Sequence, residues 1–324
     1  MVLKDAANAV KALCKGINPT ASFLGILYVE RFFKKGGVAM KVKVFKMSSF
    51  TESISGGNPA GVVMEGLLSE SQMKKTAAVV NCSETAFVSE SDEADFKVRF
   101  FTPVSEVDLC GHATIATFAL MFLKKKLQAG RYSQQTKAGV LGIEIQPDGQ
   151  IMMEQALPQF GEEIDKDEVA KVFGIDKKAF SDELPIQVVS TGLRDIIVPV
   201  RSFSILNSLK PDFEKVGVLA VKHNSAGFHF FTRDRKGFDA SCRNFAPHLG
   251  INEEPATGTA SGALGCYLVR KGICSSGHVM VFEQGYSMEK PSAVKAVVSE
   301  SNGAITKVQV GGKAVFLEQI EVEI

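Results

Sequence analysis

Several things are scarce in this chain, and each scarcity removes a class of function. There is no excess of charge, since 37 Lys and Arg stand against 36 Asp and Glu. No global field therefore draws it to nucleic acid or to an anionic membrane surface. There is no CxxC pair among its six cysteines, so neither a zinc cage nor a disulfide framework is expected, and a reducing compartment fits. The N-terminal apolar piece "ASFLGILYV" has nine residues before Glu30 and Arg31 stop it, less than half of what a bilayer span needs. No Gly-x-Gly-x-x-Gly or phosphate loop is present, so no nucleotide cofactor is expected. The histidines form no ligand spacing with Cys110 or His112, so no metal is expected either.

What is present is the composition of a globular protein, 45% apolar and 23% charged, with a length of 324 residues that suits two domains. Residues 1–39 carry six Lys or Arg against Asp5 and Glu30. They read as an extension outside the folded body, with organellar targeting a second reading and a cytoplasmic location the expected one. From Met40, "MKVKVFKMSSF" alternates apolar and polar with the period of a half-buried strand. A turn at "SGGNPAGVV" follows, then a helix over "SESQMKKTAAVVN" with Ser69 and Gln72 as a capping box.

The stretch "VDLCGHATIATFALMFLKK" opens a run without Gly or Pro that is apolar nearly all round, which predicts a buried central helix. It has a twin. "RFFTP" and "RNFAP" share Arg-x-Phe-x-Pro at a spacing of 144, and "EVDLCGHATIA" aligns with "EEPATGTASGA" at 147, pairing Glu106 with Glu253 and Gly111 with Gly258. The recurrence predicts two similarly built domains, at 40–157 and 158–324, with the last strands crossing back to the first. Short strands outnumber helices elsewhere. The expected fold is therefore α+β, two pseudo-symmetric domains, each a curled, mostly antiparallel sheet around a central helix.

The first amides of each twin helix have no intrahelical partner and sit at the positive end of the macrodipole. Gly111 and Gly258 let a ligand approach that backbone, so each helix start is a candidate carboxylate site. Cys110 and His112 suggest a thiol with its base, but neighbours two apart need unusual backbone geometry to share a hydrogen bond. Glu84, in "NCSETAF", heads an apolar strand, where desolvation would suit a general acid/base; an alternative is a cap or a pair with an arginine such as Arg99. Arg99 and Arg243 are expected to anchor their strands to the acidic loops.

Together "GNPAGVV", "SETAF", "RFFTPVSEVDLCGHATIA", "RNFAPHLGINEEPATGTASGAL" and "EQGYSMEKPS" resemble the phenazine-biosynthesis isomerase (PhzF-like) family, whose fold is that of diaminopimelate epimerase. The resemblance runs from Met40 to the C-terminus. It implies a cofactor-independent isomerase that moves a proton on a small carboxylate-bearing metabolite in an interdomain cleft. It also implies catalytic roles for Glu84, His112 and Glu254, with Asn58, Ser83, Gly111, Ala113, Gly258 and Thr259 about the substrate. Family members are often homodimers, which the sequence leaves open. Two positions depart from the family motif: Glu254 stands for an aspartate and Thr259 for a serine. Related racemases use two facing thiols, yet the twin of Cys110 is Thr257, whose hydroxyl is too weak an acid or base. Two other readings stay open: a catalytically silent ligand-binding or protein-interaction module, and a Cys110-dependent epimerase.

Overall fold

The computed structural model describes residues 40–66 and 68–324, so the expectations for residues 1–39 lie outside the described residues. Val42–Val322 form one compact unit; Met40, Lys41, Glu323 and Ile324 group apart, with reciprocal backbone hydrogen bonds between Met40 and Ile324.

Strands start where the period-two patterns start. Lys41–Ser49 runs antiparallel to Asn58–Val63, with Phe45 opposite Val62. That strand lies parallel to Thr85–Ser89, which is antiparallel to Phe96–Phe101. Phe96–Phe101 carries the short Glu106–Val107 on its edge and pairs in parallel with Gly130–Thr136, from which Gly139–Ile145 and Ile151–Gln155 follow as a meander. The second half repeats this sequence of pairings with Ile186–Ser190, Arg194–Pro199, Gly227–Thr232, Ala240–Ala246, Ile251–Glu254, Val279–Gln284, Ser292–Ser301 and Ala304–Gly312. The halves are joined where Ala304–Gly312 runs antiparallel to Ile151–Gln155, Val310 opposite Met153. Gln159–Ile164 pairs with Ile186–Ser190 as Ala314–Glu323 pairs with Lys41–Ser49.

Each half curls around one helix of thirteen residues, Gly111–Leu123 and Gly258–Arg270, here called the first and second central helices. The first packs on Asn58–Val63, Thr85–Ser89, Gly139–Ile145 and Ile151–Gln155; the second packs on Ile186–Ser190, Arg194–Pro199, Ser292–Ser301 and Ala304–Gly312, three of them the counterparts of strands under the first. Every residue from His112 to Met121 is buried, as the all-round apolar sequence demands. The α+β architecture of curled sheets on central helices is the one the sequence predicts.

Three helices went unread: Lys166–Phe173, Phe203–Ser208 and Phe213–Lys222. They cover the outer face of the second half, where Phe173 meets the rings of Phe228, Phe230 and Phe245 at centroid distances of 5.2, 4.4 and 5.7 Å. Their start signals were in the sequence, for Asp165, Ser202 and Asp212 all cap them through their side chains. The run "ITKVQVGGKAVFLE" is two strands, broken at Lys313, whose carbonyl takes the amides of Phe50 and Thr51 instead of continuing a ladder.

Candidate active site

The twin motif becomes a twin structure. Cys110 and Thr257 precede the central helices with nearly the same extended backbone, φ −140° and ψ 113° against φ −128° and ψ 102°. Arg99 grips Glu106 through Nε and Nη2 at 2.7 and 2.8 Å, and Arg243 grips Glu253 in the same fork at 2.8 and 2.8 Å. The two arginines are anchors, as expected. The fork holds the Glu106 carboxyl down at about 2, and it fixes the short strand that delivers each helix start.

Ser69, Asp165, Ser202 and Asp212 cap four helices by accepting backbone N–H groups on their side chains, whereas neither central helix has a side-chain cap. Their first amides are left for something other than a capping side chain. A Cβ on Gly111 would meet only Met153 Cε, at 3.6 Å, and one on Gly258 would meet Phe50 Cζ at 3.4 Å and Val310 Cγ2 at 3.7 Å. Since Met153 and Val310 are opposed across the seam between the halves, both helix starts face that seam. Phe50 is buried in a left-handed conformation at φ 64°, a strained backbone for a bulky residue, with its ring against the start of the second central helix.

Around these starts the fold assembles the three ionisable residues expected to be catalytic. Glu84 Oε2 lies 3.2 Å from His112 Nε2, and Glu254 Oε1 lies 3.9 Å from His112 Nδ1. All three side chains are largely buried, at 12, 6 and 15% exposure, so their charges act with little screening by water. Glu84 Oε2 is enclosed without a hydrogen-bond partner. Ser83 Oγ stands 3.2 Å from His112 Nε2. Glu254 is fully tied: Asn58 Nδ2 donates to Oε1 at 2.8 Å and Thr257 Oγ1 donates to Oε2 at 2.7 Å. Burial nonetheless pushes its carboxyl up, helped by the charge of Glu84 and opposed by His112, Thr257 and Asn58.

Asn58, expected beside the substrate, spends its other amide hydrogen on the carbonyl of Ala256, at 3.0 Å, and so links the two halves. Ala113 is wholly buried in the first turn, where its amide faces the Cys110 sulfur. Gly258 and Thr259 turn their carbonyls to Gln155 Nε2 and Thr191 Oγ1 at 3.1 and 3.3 Å. The special backbone geometry that a contact between Cys110 and His112 requires is present. Cys110 Sγ lies 3.4 Å from His112 Nδ1, because Cys110 is extended while His112 is already helical, which folds the two side chains onto one another. Burial and the negative charge of Glu84 push the Cys110 thiol well above its ordinary range, so it is a poor nucleophile as it stands.

Four supporting residues escaped the sequence reading. Ser49 Oγ donates to the His112 carbonyl at 2.6 Å, and Gln155, held in turn by Thr191 at 2.7 Å, secures Gly258. Gln284 holds Thr257 by both its amide and its hydroxyl. Only Gln284, in the "EQG" segment of the resemblance, carried any signal.

The comparison with known proteins bears on this site. The sequence model of the PhzC/PhzF family, described as phenazine biosynthesis-like protein, matches residues 47–319. The chain belongs to that family. It is 38% identical over 287 residues to the uncharacterized isomerase YfhB of Bacillus subtilis, covering 86% of this chain and 97% of that protein. It is 34% identical over 295 residues to an uncharacterized isomerase of Clostridium acetobutylicum, covering 87% and 98%. A crystal structure of a PhzF-family phenazine biosynthesis protein from Bacillus anthracis superposes with a TM-score of 0.82 at 31% identity, covering 88% of this chain and 100% of that one. A hydroxyproline epimerase from Agrobacterium vitis shares the fold, with a TM-score of 0.61 at 11% identity over 88% and 93%. The chain is an isomerase of the PhzC/PhzF family that acts on a small molecule. No helix among its described residues is long and apolar enough to cross a membrane.

Proposed function

We propose that this isomerase moves a proton on a small carboxylate-bearing metabolite, with Glu84 as the general acid/base and no cofactor in the step. The observation that carries the reading is the meeting of Glu84 and Glu254 on opposite nitrogens of the His112 ring, at the uncapped starts of the two central helices. Glu84 Oε2 has a lone pair uncommitted to any hydrogen bond, which is what a base needs. Burial pushes the Glu254 carboxyl up, and its two oxygens are taken by Asn58 and Thr257, so it is cast as a hydrogen-bonding partner rather than as the base.

In the proposed cycle Glu84 takes a proton from an acidic C–H of the substrate. Negative charge then develops on the conjugated carboxylate, where the amides at Gly111 and Gly258 stabilise it. Glu84 returns the proton at a different carbon, with His112 steadying its charge from 3.2 Å. The two-thiol mechanism is set aside, since Thr257 is committed to Glu254 and the Cys110 thiol is held protonated.

The test is a screen of candidate carboxylates in heavy water, read by mass spectrometry for deuterium gain. The wild type incorporates deuterium into its substrate, and Glu84→Gln, which keeps shape and removes basicity, loses about a hundred- to ten-thousand-fold in rate. Near-native turnover by Glu84→Gln refutes the assignment, and its loss in Cys110→Ala alone points to the thiol instead. Binding without exchange in the wild type marks a silent ligand-binding member of the family.

A further inference from the structure

Glu84, Cys110 and His112 each offer one ligand atom, and these atoms lie within 4.8 Å of one another. The geometry points to a second use of this cluster: a binding site for a borderline-soft divalent cation, Zn²⁺ or Co²⁺, whose occupancy blocks the proton-transfer base.

Tetrahedral zinc takes thiolate at about 2.3 Å and imidazole or carboxylate at about 2.0–2.2 Å, which sets ligand-to-ligand edges of roughly 3.3–3.5 Å. Here the edge from His112 Nε2 to Glu84 Oε2 is 3.2 Å, and that from Nε2 to Cys110 Sγ is 3.8 Å. Two edges thus lie close to those values and all three ligand atoms lie within 4.8 Å of one another, so a cation is seated once the Glu84 and Cys110 side chains close on it. Glu84 Oε2 independently indicates a missing partner, being an enclosed carboxylate oxygen with no hydrogen bond. The Nε2 lone pair, now approached by Ser83 Oγ, is the one the cation takes. That choice puts the ring proton on Nδ1, on the side of Glu254 Oε1 at 3.9 Å, a carboxylate that can orient the metal-bound imidazole once the ring moves toward it.

Three protein ligands leave a fourth position for water. The thiol proton goes to solvent as the sulfur–metal bond forms. The sulfur, nitrogen and single carboxylate favour Zn²⁺ or Co²⁺ over Mg²⁺, which wants an all-oxygen octahedron. A sequence search for metal spacing misses the site because Glu84 comes from the segment just before Thr85–Ser89, 26 residues before Cys110.

The test is optical titration of the full chain with Co²⁺, so its outcome is independent of the isomerase reading. One equivalent should produce a saturable thiolate-to-cobalt charge-transfer band, which Zn²⁺ displaces and Mg²⁺ in large excess does not. Cys110→Ser should abolish the band, Glu254→Gln should weaken binding about ten- to a hundredfold, and Cys82→Ser should change nothing. Alkylation of Cys110, mapped by mass spectrometry in the wild type, should slow when Zn²⁺ is present; this reading does not depend on any variant folding. No band at stoichiometric Co²⁺, a band that survives Cys110→Ser, or unchanged alkylation of Cys110 in saturating Zn²⁺ overturns the proposal.

Discussion

Asp195→Asn is the substitution for which the structure gives the most definite number. Asp195 is 3% exposed on the face of its strand that looks toward the second central helix, and its Oδ2 has no hydrogen-bond partner. Burial and the nearby charge of Glu254 push its carboxyl up from 3.8 to about 7, with the Asn244 amide pulling the other way. An acid whose folded pKa is raised favours the folded state while it is protonated in both states. That advantage is complete below the unfolded value of 3.8 and is lost as pH rises through about 7. At about 1.4 kcal/mol per pH unit between those values, the swing is about 4 kcal/mol, with roughly 2–3 kcal/mol of it between pH 5 and pH 8.

Asparagine keeps the shape and carries no charge, so the variant should gain on the wild type as pH rises. Urea unfolding followed by circular dichroism at half-unit intervals from pH 5 to 8.5 measures the difference directly, with every other titrating group cancelling between the two proteins. Because Glu254 supplies part of the shift, the swing should shrink in a Glu254→Gln background. A difference that stays flat within about 0.5 kcal/mol over that range refutes the reasoning, for it means that Asp195 is ionised at little cost.

Further predictions follow from the same geometry. Gly111→Ala should leave the melting temperature within a degree or two of wild type, since its Cβ meets only Met153 Cε at 3.6 Å, yet lower turnover if substrate rests on that helix start. Asn58→Ala should cost about 1–3 kcal/mol in urea unfolding by leaving Glu254 and the Ala256 carbonyl short of a donor, and it should raise the Glu254 titration further. Arg243→Ala should destabilise by about 3 kcal/mol or more, and by more than Arg99→Ala. Arg243 is 10% exposed against 28% and also donates to the carbonyls of Leu206 and Leu209; equal melting temperatures for the two variants would contradict this.

Much of the site was legible because its parts are local. The capping box at Ser69, the paired arginine forks, the two helix starts and the "SETAF" carboxylate each sit in a short segment whose chemistry can be read on its own. What could not be read is long-range. The hold of Ser49 on the His112 carbonyl spans 63 residues and that of Gln155 on Gly258 spans 103, and no periodicity marks a polar side chain for such a partner. The Cys110 and His112 contact is a different case. It is local, but it depends on the backbone changing from extended to helical between them, which composition does not reveal.

Within the symmetric frame the two halves differ at the positions that match Glu84 and Cys110. Counting along the registers from the twin arginines places Gly227 where the first half has Glu84, and Asp195, His229 and Asn244 where it has Ala60, Ala86 and Phe100. A Cβ on Gly227 would fall 2.2 Å from the Phe245 carbonyl oxygen, so the second half has no room for any side chain at that place. Its polar groups instead lie beside the gap: Asp195 opposite Gly227, Asn244 opposite Glu254, and His229 held down to about 3 by burial and bonded to Asn244 at 3.3 Å. Thr257 stands where the first half has a thiol, and it is committed to Glu254. A racemase of the two-base kind needs matching acids on both faces of one carbon. Here packing leaves no room for one at Gly227 and Thr257 stands where the other thiol would be, so the twin positions do not supply a matched pair of acids.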